Sequence, residues 1–243
     1  MDLLGQIWLL PATGGNARPV TDAIHDSAQD LAPSFSPDGR WIAFTARRPG
    51  GAGIFLMASG GGPARRLTVG STYAEPESAW SPDSSRLAFI KGGAITVVDV
   101  STGAVSPVPI EGLKGGPIRH PVWSPDGRRI AFVFGRAPDR LTSPDPGGRL
   151  YVVAAEGGNA SPLLDEAIYA LRPAYSPDGK RLAFFVRPPG TVPQLWVADL
   201  TRRTQRRVAF EGELTPSRVR WFAEGRALLC SANGGSGAWI RTA

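Results

Sequence analysis

The sequence has one cysteine and two histidines in 243 residues. Cys230 has no partner for an internal bridge, and its neighbours Leu228, Leu229 and Ser231 read as an apolar strand rather than the setting of a reactive thiol. With only His25 and His120, a histidine-based triad has few options, and no Gly-x-Ser-x-Gly elbow occurs. His-x-x-x-His and paired cysteines at ligand spacing are also missing, so no metal and no cofactor are expected. Long apolar runs are absent too. No stretch approaches the ~20 residues that a membrane span requires. Residues 1–11 carry Asp2 where a signal peptide needs positive charge, and Gln6 interrupts their short hydrophobic run. A cytoplasmic location is expected on that ground, or a periplasmic one if the natural N-terminus is incomplete here.

What is present is turn-forming and apolar. Thirty glycines and 23 prolines stand beside a 42% hydrophobic content and seven tryptophans, which together read as a turn-rich globular chain with a core. The net charge of +6 suits a soluble surface but falls short of a dense basic stripe. Arg202, Arg203, Arg206 and Arg207 form the densest basic cluster. Strand alternation would put Arg206 and Arg207 on opposite faces, and no aromatics interleave them, so nucleic-acid binding is not indicated.

One internal repeat dominates. Ser36-Pro37-Asp38-Gly39, Ser81-Pro82-Asp83-Ser84, Ser124-Pro125-Asp126-Gly127 and Ser176-Pro177-Asp178-Gly179 recur, with a degraded fifth copy at Phe222-Ala223-Glu224-Gly225. Their spacing of 43 to 52 residues is the size of a propeller blade. An aromatic precedes each copy (Phe35, Trp80, Trp123, Tyr175, Trp221), and Ile/Leu-Ala-Phe follows the first four. Proline presets φ, aspartate bonds local amides and glycine supplies the left-handed residue, so each copy predicts strand, tight turn, strand. The repeated aspartates are therefore turn formers rather than acids, and Ser84 is expected to strain the second turn. Third strands near Ile54, Ile95, Leu150 and Leu195 and fourth strands ending near Leu67, Val108, Leu163 and Val208 complete four-stranded antiparallel blades.

These residues resemble the TolB-type, WD-repeat-like β-propeller family, with its aromatic-Ser-Pro-Asp-Gly core followed by Ile/Leu-Ala-Phe. The resemblance covers nearly the whole chain and implies an all-β protein of bacterial type, a single propeller domain over residues 1–243. Similar repeats form the propeller of the periplasmic protein TolB, the propeller ahead of the hydrolase domain in prolyl-oligopeptidase-like serine peptidases, and many stand-alone proteins. Within these residues neither an α/β domain before the propeller nor a hydrolase domain after it is expected. The reading is a non-catalytic scaffold that binds a protein, peptide or small ligand. The alternatives are the propeller portion of a larger serine hydrolase and, through the carboxylate pair Glu75 and Glu77, a five-bladed glycosidase.

The ends bear on blade number. Residues 5–20 read as third and fourth strands whose blade lacks its first two, and 218–221 with 227–231 offer such a pair. A composite blade would make five and protect open edges. Against it, residues 237–241 read as a third strand for the last blade, and a truncated propeller of six or more blades is the alternative.

Topology places the long segments 21–30, 69–78, 110–120, 135–149, 165–172 and 211–218 on one face, where binding residues are commonly carried. Four residues before each repeated turn stand Ala32, Glu77, His120, Arg172 and Arg218, expected to ring the mouth of the channel. Asp30, Glu75 and Arg119 add charge beside them, and Tyr73 and Tyr169 could reach the rim. A solvated mouth with internal ion pairs is one reading; an anionic or peptide ligand held by the arginines is the other.

Overall fold

The computed structural model describes residues 2–3, 6–11, 13–21, 30–48, 51–69, 78–135, 147–164, 169–187, 191, 193–208, 216–232 and 238–241. Among them the regular secondary structure is strand, apart from a single 3₁₀ turn at Ala223–Gly225. Four antiparallel sheets of four strands follow one another. Their members are Asp30–Phe35, Trp41–Arg48, Gly51–Ala58 and Arg65–Arg66; Ala79–Trp80, Arg86–Lys91, Ala94–Asp99 and Val105–Pro107; Ile118–Trp123, Arg129–Phe134, Arg149–Ala154 and Ser161–Pro162; and Ala170–Tyr175, Arg181–Val186, Gln194–Asp199 and Thr204–Val208. Each sheet is the four-stranded blade that the repeat predicts, and the architecture is a β-propeller.

Two further sheets flank these blades in sequence. Gln6–Leu9 and Arg18–Pro19 pair as expected, and Asp2–Leu3 adds a short strand against Gln6 and Ile7. At the other end Pro216–Phe222, Ala227–Ala232 and Ala238–Arg241 form a three-stranded sheet, so the last segment takes the place beside the second strand that its sequence suggested. The chain divides into two compact units, Met1–Pro107 and Val108–Ala243.

Packing inside each unit follows from the sequence of the second strands. Their Ile/Leu-Ala-Phe segments do not alternate inward and outward but are buried throughout. Phe44, Phe89, Phe132 and Phe184 are at most 2% exposed. Each such ring contributes about 1.5–3 kcal/mol by leaving water. In the first unit Ile54 and Leu56 of one blade meet Leu87, Phe89 and Val98 of the next. In the second unit Val133 and Leu150 meet Leu182 and Phe184, and Phe185 and Val197 meet Val219 and Leu228. The alanines between them, Ala43, Ala88, Ala131 and Ala183, are fully buried. Outer strands are short and bear Arg65 and Arg66, Pro107, Pro162, or Arg206 and Arg207, which discourages pairing with a foreign strand.

The repeated turn is a closed hydrogen-bond cage. In all four full copies the serine hydroxyl donates to the aspartate two residues on, at 2.5–2.6 Å, and accepts the amide five residues on, at 2.9–3.0 Å. The same carboxylate oxygen accepts the amide two residues further along, from Arg40, Ser85, Arg128 and Lys180. These bonds, the serine's first among them, hold all four aspartates below the ordinary carboxylate range. Their role as turn formers is thus visible atom by atom.

Turns are also stitched to the preceding blade. Trp80 Nε1 donates to the Ser34 carbonyl at 3.3 Å, and Trp221 Nε1 donates to Ala174 at 2.9 Å, the same bond made 46 and 47 residues apart. Arg181 reaches forward to the Gly225 carbonyl at 2.7 Å while its guanidinium covers the Trp221 ring. Phe35, the aromatic of the first copy, remains 55% exposed; the sheet before it has no innermost strand among the described residues for the ring to pack on.

Two expectations need revision. Ser84 does adopt the left-handed conformation, with φ 62°, but its hydroxyl accepts the Asp38 amide of the preceding turn at 3.0 Å. Relief of strain by glycine is therefore offset by a lost inter-blade bond. The segment 110–120 does not lie wholly on the loop-rich face either: Ile110–Glu111 pairs in parallel with Gly158–Asn159, at the hairpin that follows the third strand of the third blade. Gly157, with φ 99°, permits this approach, since a Cβ there would lie 2.5 Å from Pro109. A second recurring turn escaped the sequence reading. Asp99 accepts the amides of Ser101 and Thr102, Asp199 those of Thr201 and Arg202, and the Ser101 hydroxyl bond is the largest of the effects that hold Asp99 down to about 2.

Replacing Asp126 by alanine should cost about 1 kcal/mol in a denaturant titration, through loss of its local bonds. Ser84→Gly should be close to neutral, whereas Ser84→Ala, which keeps the strain and loses the bond, should cost about 1 kcal/mol.

Because the turn aspartates have depressed folded-state pKa values, their stabilisation is fully present above the unfolded value near 4 and is lost as pH falls toward the folded values. The stability gap between the native chain and Asp126→Asn should therefore stay constant from about pH 7 to 5 and narrow below about pH 4. Denaturation midpoints measured across that range check it.

Candidate functional site

The entrance of each innermost strand has a fixed local geometry. Ala32, His120 and Arg172, each four residues before its repeated turn, have φ of 53°, 50° and 48°. Each sits in a register shift against the second strand, between Leu31 and Ser34, Arg119 and Val122, and Leu171 and Ala174. A proline follows each (Pro33, Pro121, Pro173), has no amide to donate, and makes a break in the ladder cheap at this point. A left-handed alanine, histidine or arginine costs about 1–2 kcal/mol per residue. The same strain in three blades means that it is built into the scaffold, where it re-aims one side chain per blade.

The expected mouth residues separate into three groups. Asp30 and Arg119 are buried and engaged. Asp30 pairs with Arg48 at 2.8 Å, with both side chains largely shielded from solvent. Arg119 donates to the Gly135 carbonyl at 3.0 Å and to that of Gly147 at 3.4 Å, closing the base of the insertion. Its fixed position gives it a structural task that charge in the sequence alone did not suggest. Glu75, Glu77 and Tyr73 lie outside the described residues, as do His25 and most of the long segments. His120, Arg172 and Arg218 are half-buried and remain as the candidate set. All three belong to the second unit, at corresponding positions on the neighbouring strands Ile118–Trp123, Ala170–Tyr175 and Pro216–Phe222. Arg218 follows its own register shift, from Pro216. Tyr169 is also half-buried, just ahead of the Ala170–Tyr175 strand.

The row is cationic, and its chemistry is that of binding an acceptor-rich group. Guanidinium donors make charge-assisted hydrogen bonds to carboxylates, roughly twice as strong as neutral ones. Burial pushes the Cys230 thiol up to about 11, which leaves it protonated and inert at neutral pH. Burial likewise pushes Tyr175 up to about 12. No group of three or more His, Cys, Asp and Glu that could hold a metal ion occurs among the described residues.

Comparison with known proteins agrees with this geometry. The family model described as the TolB beta propeller domain matches residues 76–241, and that of the lipoprotein LpqB beta-propeller domain matches residues 5–137. An uncharacterised peptidase, YuxL of Bacillus subtilis, is 29% identical over 184 residues, 73% of this chain and 24% of its own length. Tricorn protease homolog 1 of Streptomyces coelicolor is 34% identical over 83 residues, 34% of this chain and 8% of its own. The chain thus spans a quarter or less of the curated relatives it matches. Among solved structures, TolB of Acinetobacter baumannii superposes with a TM-score of 0.72 at 20% identity, over 98% of this chain and 57% of that one. The four-stranded blades, the caged Ser-Pro-Asp turns and the match over 76–241 lead to one conclusion: this chain belongs to the TolB β-propeller family.

Proposed function

We propose that this propeller is a binding scaffold rather than a catalyst, and that its second unit receives an acidic or zwitterionic peptide end on the row His120, Arg172 and Arg218. One observation carries the reading: two arginines and a histidine occupy corresponding positions on adjacent innermost strands, His120 and Arg172 on a left-handed backbone that the fold maintains at a cost. A protein or peptide partner fits better than a nucleic acid, since among the described residues no run of exposed aromatics accompanies the cations. None of the described helical residues forms a helix long and apolar enough to cross a membrane.

The likeness to YuxL favours a second reading, in which this propeller is one part of a larger peptidase and the cationic row meets the free carboxylate of a peptide substrate. Both readings use the same residues; they differ in whether a hydrolase acts on what is bound.

The test is calorimetric titration with an aspartate-rich peptide bearing a free C-terminus and with a neutral, amidated peptide of equal length. The acidic peptide should bind more tightly, with affinity falling as salt rises, and Arg172→Glu with Arg218→Glu should weaken it at least tenfold. Equal affinities in native chain and double variant would contradict the proposal. A panel of activated esters and peptide anilides should show no turnover by this chain; turnover lost on replacing one serine or histidine would contradict the non-catalytic reading.

A further inference from the structure

The outer strands of the third and fourth blades leave an opening between them. The outermost strand of the third blade has only two residues, Ser161–Pro162, where that of the fourth has five, Thr204–Val208. Beside this short edge lies a cavity of about 490 Å³, lined by Leu163 and Leu164 of one blade and by Trp196, Leu200, Arg203 and Gln205 of the next. The two leucines, Leu200 and the indole are all half-buried and continue the packed cluster of Val133, Leu150, Leu182 and Phe184. Its volume lies within the range of about 300–1,000 Å³ usual for small-ligand pockets.

Blade four is specialised at this point. Its third strand ends at Asp199 as that of the second blade ends at Asp99, and the two turns bind the same amides, so their residues correspond one to one. Trp196 stands where the second blade has buried Thr96, and Leu200 where it has Val100. Arg203, with φ 56°, stands where it has Gly103, with φ 73°. An arginine thus occupies a left-handed position that glycine fills at no steric cost. In blades one and three, rings at the position of Trp196 stack within their own sheet, Phe55 on Phe44 and Tyr151 on Phe132. Trp196 lines the cavity instead, and its Nε1, shielded from solvent, has no hydrogen-bond acceptor among the described residues. A buried donor in that state is rare enough to require a reason.

Charge points to the ligand. Arg203 is the one charged residue lining the cavity among the described residues, and Arg207, directly across from Trp196 in the sheet, lies on the same face. We infer that this cavity is a binding site for a small apolar carboxylate, its hydrocarbon or aromatic body against Leu163, Leu164, Trp196 and Leu200 and its anionic group toward Arg203. The site lies away from the cationic row and does not depend on the function proposed for it.

The test is calorimetric titration of the full chain with 4-phenylbutyrate and with its neutral amide. The acid should bind at least tenfold more tightly than the amide. Arg203→Gly should abolish that preference while leaving the thermal midpoint unchanged or raised, since glycine suits the backbone there. In nuclear magnetic resonance the indole N–H signal of Trp196, identified by its loss in Trp196→Phe, should move on titration with the acid. Leu164→Trp, designed to fill the cavity, should remove binding of both ligands. Three results would each overturn the inference: no binding of the acid to the native chain at millimolar concentration, a preference that survives Arg203→Gly, or a Trp196 signal unmoved at saturation. If Leu164→Trp does not fold, the glycine variant and the indole signal decide alone.

Discussion

The bond from a serine hydroxyl to the aspartate two residues later, made four times in one chain, is the contact on which the blades rest. It fixes the carboxylate so that the oxygen can gather a backbone amide, and it frees the serine oxygen to accept another from the start of the second strand. Register between the first and second strands follows from that geometry. Once register is set, Ile/Leu-Ala-Phe falls at mid-blade, where both faces are covered, and the tryptophan ahead of the turn can reach the carbonyl of the preceding blade. A local turn thereby controls a long-range contact. That economy matters in a fold of non-local pairings, whose loop-closure entropy must otherwise be met by core packing alone.

Copies of the repeat cease to be equivalent at a few positions. Ser84 replaces a turn glycine and gives its hydroxyl to the neighbouring turn. His120 and Arg172 occupy a strained position that in the first blade holds only Ala32. Arg203 occupies a left-handed site that in the second blade is glycine. Each departure would be removed by the repeat's most comfortable residue, and each brings a hydroxyl or a basic side chain to a fixed place. Strain distributed in this way is compatible with stability because the cages and the buried phenylalanines over-determine the backbone around it.

Legibility in the sequence tracks the range of the interactions. The turns, the strand order and the blade repeat were readable because residues within five positions of one another decide them. The left-handed entrances carried a local signal that went unused, namely a proline at one fixed distance from three of the turns, at Pro33, Pro121 and Pro173. Charge alone could not separate Arg119 and Asp30, buried in structural bonds, from His120 and Arg172 one or more positions away, since burial depends on the carbonyls of Gly135 and Gly147 and on Arg48. The cavity beside Trp196 was invisible for a similar reason: Leu163 and Trp196 are far apart in sequence, and the opening arises from the shortness of a strand in the adjacent blade.

With their bonds closed in this way, the caged turns belong to the cooperative core and are not surface loops. Native-state hydrogen exchange measures this directly at the four amides that donate to serine oxygens, those of Trp41, Arg86, Arg129 and Arg181. They should exchange only as fast as amides at the centres of the second strands, such as Phe132 and Phe184, through global opening. Exchange at the rate of exposed hairpin amides such as Ala104 would mean that the turns fray independently of the blades and do not hold them.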